Sequence, residues 1–187
     1  ATSFSNALAT ASHHIGDVDG DAVSDATIIV DTTAPTTTIA TMAFSADTGI
    51  SGTDFNTKTA AQTISGTTSA DLVKDEMVQV SIDNGSTWTT ATTSLGANTW
   101  SLAGLTLSGS NTLKVRVSDT AGNNGTASSQ VYVLDTSTPT KTITTMALSA
   151  DTGTSSTDFN TKSVAQTISG TTSANIAVGE IVEVSLN

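Results

Sequence analysis

Cysteine is absent from the 187 residues, which excludes a disulfide framework and thiol catalysis. Lysine and arginine number only six against 17 aspartates and glutamates, giving a formal net charge of −11. That balance excludes nucleic acid as a partner, because phosphate binding needs clustered basic side chains. Only seven residues are aromatic, two are proline and two are histidine. No histidine follows His14, so the many serines lack an imidazole base to make a nucleophile. No apolar run approaches the roughly 18 residues of a membrane helix, so no direct membrane insertion is expected. The first residues show no charged-then-apolar leader, so any export signal is expected to lie outside this sequence. What the chain has in abundance is small hydroxyl side chains, with 39 threonines and 25 serines. Threonine and valine disfavour helix and suit strands. The chain reads as acidic, soluble, all-β and non-enzymatic.

An internal repeat sets the expected organisation. Asp31-Thr32-Thr33-Ala34-Pro35-Thr36 returns as Asp135-Thr136-Ser137-Thr138-Pro139-Thr140, an offset of 104 residues. Residues 61–70 are identical to residues 165–174, and 35 of the 53 positions from 31 to 83 match their counterparts without a gap. A period of this length exceeds the ~20–50 residues of a solenoid unit and suits one whole domain. The sequence therefore divides into the C-terminal part of a diverged module (1–30), a complete module (31–134) and the N-terminal half of another (135–187).

Within the complete module, short alternating apolar runs punctuated by turn residues predict seven strands. They lie near residues 37–44, 61–68, 76–82, 87–90, 98–102, 111–118 and 128–134. Side chains alternate with period two, so Val78, Val80 and Ile82 share one face, as do Leu113, Val115 and Val117. Asn84-Gly85 supplies the positive φ of a tight hairpin between the third and fourth strands. Trp88 and Trp100 are expected in the core. The predicted architecture is a set of tandem immunoglobulin-like antiparallel β-sandwiches joined end to end.

Several motifs then carry a resemblance. They are Val30-Asp31-Thr32-Thr33-Ala34-Pro35-Thr36, Gln62-Thr63-Ile64-Ser65-Gly66-Thr67, Val80-Ser81-Ile82-Asp83-Asn84-Gly85-Ser86-Thr87-Trp88 and Val117-Ser118-Asp119-Thr120-Ala121-Gly122-Asn123. In this order they resemble the bacterial Ig-like repeats of giant, RTX-type surface adhesins. The resemblance covers residues 31–187 and fits residues 1–30 less closely. It implies long extracellular stalks that project an adhesive domain from the cell, often exported by a type I system and often stiffened by calcium.

The acidic residues are the candidate binding sites. Asp17, Asp19, Asp21 and Asp25 occupy positions 1, 3, 5 and 9 of one loop, a spacing that turns carboxylates toward a hard cation such as calcium. Gly20 at position 4, with no glutamate at position 12, excludes an EF-hand; the alternative is a solvated acidic turn. Strand alternation places Asp47, Asp54 and Asp135 at one end of the complete module. Asp31, Asp71 and Asp119, with Asp75, Glu76 and Asn123, fall at the other. Carboxylates of neighbouring modules would then converge on each junction, where a calcium ion would relieve their repulsion; the alternative is that acidic loops only keep the stalk solvated. Adjacent His13 and His14 would point to opposite faces of a strand and make a poor metal pair.

The function expected is a structural stalk segment of a bacterial cell-surface or secreted adhesin, with Pro35 and Pro139 limiting the bending of each joint. Two alternatives stand beside it. One is a carbohydrate- or protein-binding Ig-like module; the other is a subunit of a self-assembling surface filament, in which other copies of the chain complete the cut modules.

Overall fold

The architecture follows from which strands find partners. The computed structural model describes residues 10–14 and 27–186, with side chains from Val30 onward. In chain order the strands are β1 (Thr10–His14), β2 (Thr27–Asp31), β3 (Ile39–Phe44), β4 (Asn56–Thr57), β5 (Ala61–Thr68), β6 (Glu76–Ser81), β7 (Thr89–Thr90) and β8 (Thr92–Thr93). They continue as β9 (Thr99–Thr106), β10 (Asn111–Asp119), β11 (Ser128–Leu134), β12 (Ile143–Leu148) and β13 (Ile168–Thr172). Helix is absent among the described residues. The chain forms two compact units, residues 1–136 and 137–187.

In the first unit, β1 and β2 form an antiparallel pair, and the remaining strands build a sandwich of two sheets. One sheet has the order β3-β5-β9-β8, the other β4-β11-β10-β6-β7. Alternation on β6 and β10 turns Val78, Val80, Leu113, Val115 and Val117 inward, where they are fully buried. Ile64 of β5 and Trp100 of β9 close the core from the opposite sheet. Phe44, Phe55 and Tyr132 pack edge to face, with ring centroids 4.9 and 5.8 Å apart. The Tyr132 hydroxyl donates to the carbonyl of Ile82 at 2.8 Å, which satisfies a buried phenol.

The all-β sandwich is as expected, and the strands at 61–68 and 128–134 keep their expected limits. Three features differ. The strand expected at 37–44 forms as β3, but a short strand that was not expected, β4, follows it in the other sheet and pairs parallel with β11. The sandwich is therefore not wholly antiparallel. The loop between them makes the crossover, with Phe55 at φ 60°. The turn at Asn84-Gly85 has the expected positive φ at both residues, but the ladder starts only at Val80–Thr89, so the fourth strand shrinks to Thr89–Thr90. Trp88 leaves the core: its ring is half-buried beneath the Arg116 guanidinium, 3.9 Å from the ring centroid, and its Nε1 donates to the Gly85 carbonyl.

In the second unit, β12 and β13 pair with the register of β3 and β5, including the irregularity after the first residue pair. The counterparts of β4 and β6, residues 160–161 and 180–185, are not strands. Their sequences are nearly those of β4 and β6, so local propensity is the same. What they lack is the pairing with β11 and β10 that supplies the ladder in the complete module.

Candidate functional site

The loop from Ser45 to Thr59 is built around two half-buried acceptors. Asp47 Oδ2 accepts from the Phe55 amide at 2.8 Å and fixes the left-handed turn there. The Ala46 carbonyl accepts from Thr57 Oγ1 at 2.7 Å and Gln62 Nε2 at 2.9 Å, while Gln62 Oε1 accepts from the Ala46 amide. Asp54 Oδ1 accepts from the Asn56 amide at 3.0 Å, an Asx turn. Amides of Val133 and Asp135 then donate to the carbonyls of Phe55 and Thr57, which ties the loop to β11 and the linker after it. The structure thus brings Asp47, Asp54 and the Asp135 backbone to one end, as strand alternation predicts. The two loop carboxylates, however, already cap their own loop. Asp47 Oδ1 is buried and unpartnered, and so is Asp151 Oδ1 in the repeat.

At the opposite end Asn123 is the organiser. Its Nδ2 donates to the Asp31 carbonyl at 3.1 Å and to Asp119 Oδ2 at 2.8 Å, while its amide donates to Asp119 Oδ1 at 2.8 Å. Those bonds, the Asn123 side chain first, hold the Asp119 carboxyl below the usual carboxylate range. Asp31 Oδ1 accepts from the Thr33 amide at 2.9 Å, and the Asp75 carbonyl accepts from the Thr120 amide. Glu76 Oε2 accepts from the Val73 amide at 3.1 Å. Asp71 is exposed on the loop between β5 and β6. Asp17, Asp19, Asp21 and Asp25 lie outside the described residues, and the side chains of His13 and His14 are not described.

Among the described residues, no three acidic or histidine side chains gather as a metal site. The carboxylates of the complete module do not by themselves fit a calcium ion, whose coordination needs six to eight oxygens. Gln62 is the site residue that sequence reasoning missed, whereas Asn123 stands at the end where strand alternation placed it. The identity of residues 61–70 with 165–174 is the signal that pointed to Gln62, since Gln166 repeats its bonds to Ala150.

Another capped carboxylate, Asp83, lies in the turn after β6. Asp83 accepts from Ser81 Oγ at 2.6 Å and from both the hydroxyl and the amide of Thr87. These bonds, Ser81 foremost, hold its carboxyl at about 2. A folded-state value below the unfolded one contributes stability at pH above about 3.9, and that contribution is lost as pH falls through about 2. An acid titration of Asp83→Asn is expected to show less loss of stability between about pH 4 and 2 than the parent. Identical acid profiles would show that the Asp83 bonds do not matter to the fold.

Comparison with characterised proteins gives no match. Residues 33–136 match the family described as Bacterial Ig-like domain, and this span is the two-sheet sandwich with part of the linker at each end. By that match over more than half its length, the chain belongs to the bacterial Ig-like domain family.

Proposed function

We propose that the chain is a non-catalytic structural segment of a bacterial cell-surface or secreted adhesin, built from repeated modules that act as spacers. The observation that carries this reading is the repeat itself. Across 104 residues it preserves the β3–β5 register, the aspartate that caps the following loop and the glutamine that braces it. What is duplicated is thus the machinery that stabilises a module and attaches its linker. Among the acidic loop residues, Asp47, Asp54 and Glu76 recur as Asp151, Asp158 and Glu180, whereas Asp71 becomes Asn175 and Asp75 becomes Gly179. Family membership supports placement in a surface protein, and the family is generally non-catalytic.

Calcium belongs to this reading as a ligand between modules, because Asp47, Asp54 and Asp119 of the complete module already cap their own loops. With affinities of about 10⁻⁴ to 10⁻³ M, each site would add ~0.4–1.4 kcal/mol at millimolar calcium. Melting of the full chain with calcium and with chelator tests this part. A modest upward shift with calcium is expected. Equal melting temperatures would remove calcium and leave a stalk stiffened by its prolines alone.

A further inference from the structure

Arg116, the only arginine of the chain, and Lys114 stand two residues apart on β10, roughly 7 Å along the strand. Both face outward from the five-stranded sheet. In a chain with 17 acidic and six basic residues, such cations are expected to find carboxylates. Among the described residues neither does: the ion pairs are Lys74–Asp75 and Lys141–Glu180. The outward positions around them, Met77, Gln79, Thr112, Ser129, Val131 and Val133, carry no carboxylate. Asp83, in the adjoining turn, accepts from Ser81 and Thr87 instead. Arg116 is also held in place. Its guanidinium lies on the Trp88 ring, the indole is pinned by its bond to the Gly85 carbonyl, and Nε is occupied by Gln79. The two terminal nitrogens make no hydrogen bond among the described residues and form a fork that fits a carboxylate at both oxygens.

We propose that this face binds a carboxylated polysaccharide, a polymer of uronic acids, with Arg116 gripping a sugar carboxylate and Lys114 a neighbouring oxygen. Charge complementarity requires an anion, and the place of the patch in the sheet selects a sugar over a peptide. β10 lies inside the sheet, between β6 and β11, so an acidic peptide cannot add there as a strand. The ligand must be read by side chains, and those beside the cations are short hydroxyls, an amide and aliphatic groups. Thr112, Ser129 and Gln79 offer hydrogen bonds to ring hydroxyls. Val131 and Val133, both exposed, offer apolar contact to the C–H faces of the sugars. The net charge of −11 opposes a polyanion at long range, but salt screens that repulsion beyond about 8 Å. The two cations therefore govern the contact. This site goes beyond the spacer reading and does not depend on it.

The probe is polygalacturonate titrated into the full chain by calorimetry, with chelator present so that calcium cannot bridge two polyanions. Neutral dextran and polyglutamate serve as comparisons. Binding is expected for polygalacturonate and not for dextran, and it should weaken as salt rises. Lys114→Gln and Gln79→Glu are each expected to weaken it about fivefold or more. The second substitution sets a carboxylate directly across from Arg116, and glutamate is what the repeat carries at the equivalent position 183. Both positions lie on the outer face, away from the core, so both variants are expected to melt close to the parent. Absence of binding, dextran bound as tightly, or unchanged binding by either variant overturns the proposal. Polyglutamate bound as tightly as polygalacturonate also overturns it, because the face would then read an acidic peptide and not a sugar.

Discussion

Ile64→Ala is expected to lower the melting temperature of the chain sharply, and Ile168→Ala to leave it almost unchanged. The two residues sit in an identical decapeptide, on strands with the same register. Ile64 is fully buried between the sheets, whereas Ile168 is 36% exposed. Removing a buried isoleucine side chain costs ~2–5 kcal/mol, from lost transfer energy and the cavity left behind. For a domain of about 100 residues that corresponds to a shift of roughly 10–30 °C. A substitution on an uncovered surface stays within about 0.5 kcal/mol. Thermal melts of the two full-length variants read the difference directly. Equal shifts would mean that the second unit carries a core as consolidated as the first.

Gly66→Ala should be comparably disruptive, for a reason of space. Gly66 lies across from Met42 on one side and Trp100 on the other, at the centre of its sheet. A Cβ there would collide with the Thr41 carbonyl oxygen and come within 2.7 Å of Trp100 Cζ2. The first obstacle is backbone and cannot rotate away, so β3 and β5 must separate or the Trp100 ring must leave its pocket. Overpacking of this kind costs about 1–3 kcal/mol. The equivalent Gly170 meets the Thr145 carbonyl but no indole, and it lies outside the cooperative core. Melts are expected to show a large loss for Gly66→Ala and little change in the main transition for Gly170→Ala. A Gly66→Ala protein as stable as the parent would contradict the close packing of β5 on β3 and β9.

The strands were legible where alternation was strong. Val78, Val80, Leu113, Val115 and Val117 each declare a face, and the structure buries all five. Residues 61–68 and 128–134 are bounded by turn-forming neighbours, and their limits agree with the sequence reading. The crossover at β4 was not legible. Asn56-Thr57 has no apolar alternation, and it becomes strand only because β11 lies alongside it. Trp88 misled because an aromatic is usually core. Its placement depends on Arg116, a residue 28 positions later that pairs with Gln79 across the sheet. What the carboxylates of the complete module hold was not legible either. Spacing shows where carboxylates fall, whereas capping by Asp47 and Asp119 depends on which amides the folded loops turn toward them. Residues 180–185 show the same limit from the other side, since a strand sequence without a partner does not form a strand.

Pulling the full chain by its two ends in a single-molecule force experiment tests the central claim most directly. A spacer module must resist extension as one cooperative unit, and only one complete sandwich is present among the described residues. The account predicts a single force peak, releasing the ~104 residues of the sandwich. The added contour length is roughly 340–370 Å less the folded end-to-end distance. Residues 137–187 are expected to extend without a peak of their own. Smooth extension with no peak would contradict the structural role proposed for the module, and a second peak from residues 137–187 would contradict the dependence of that unit on strands it lacks.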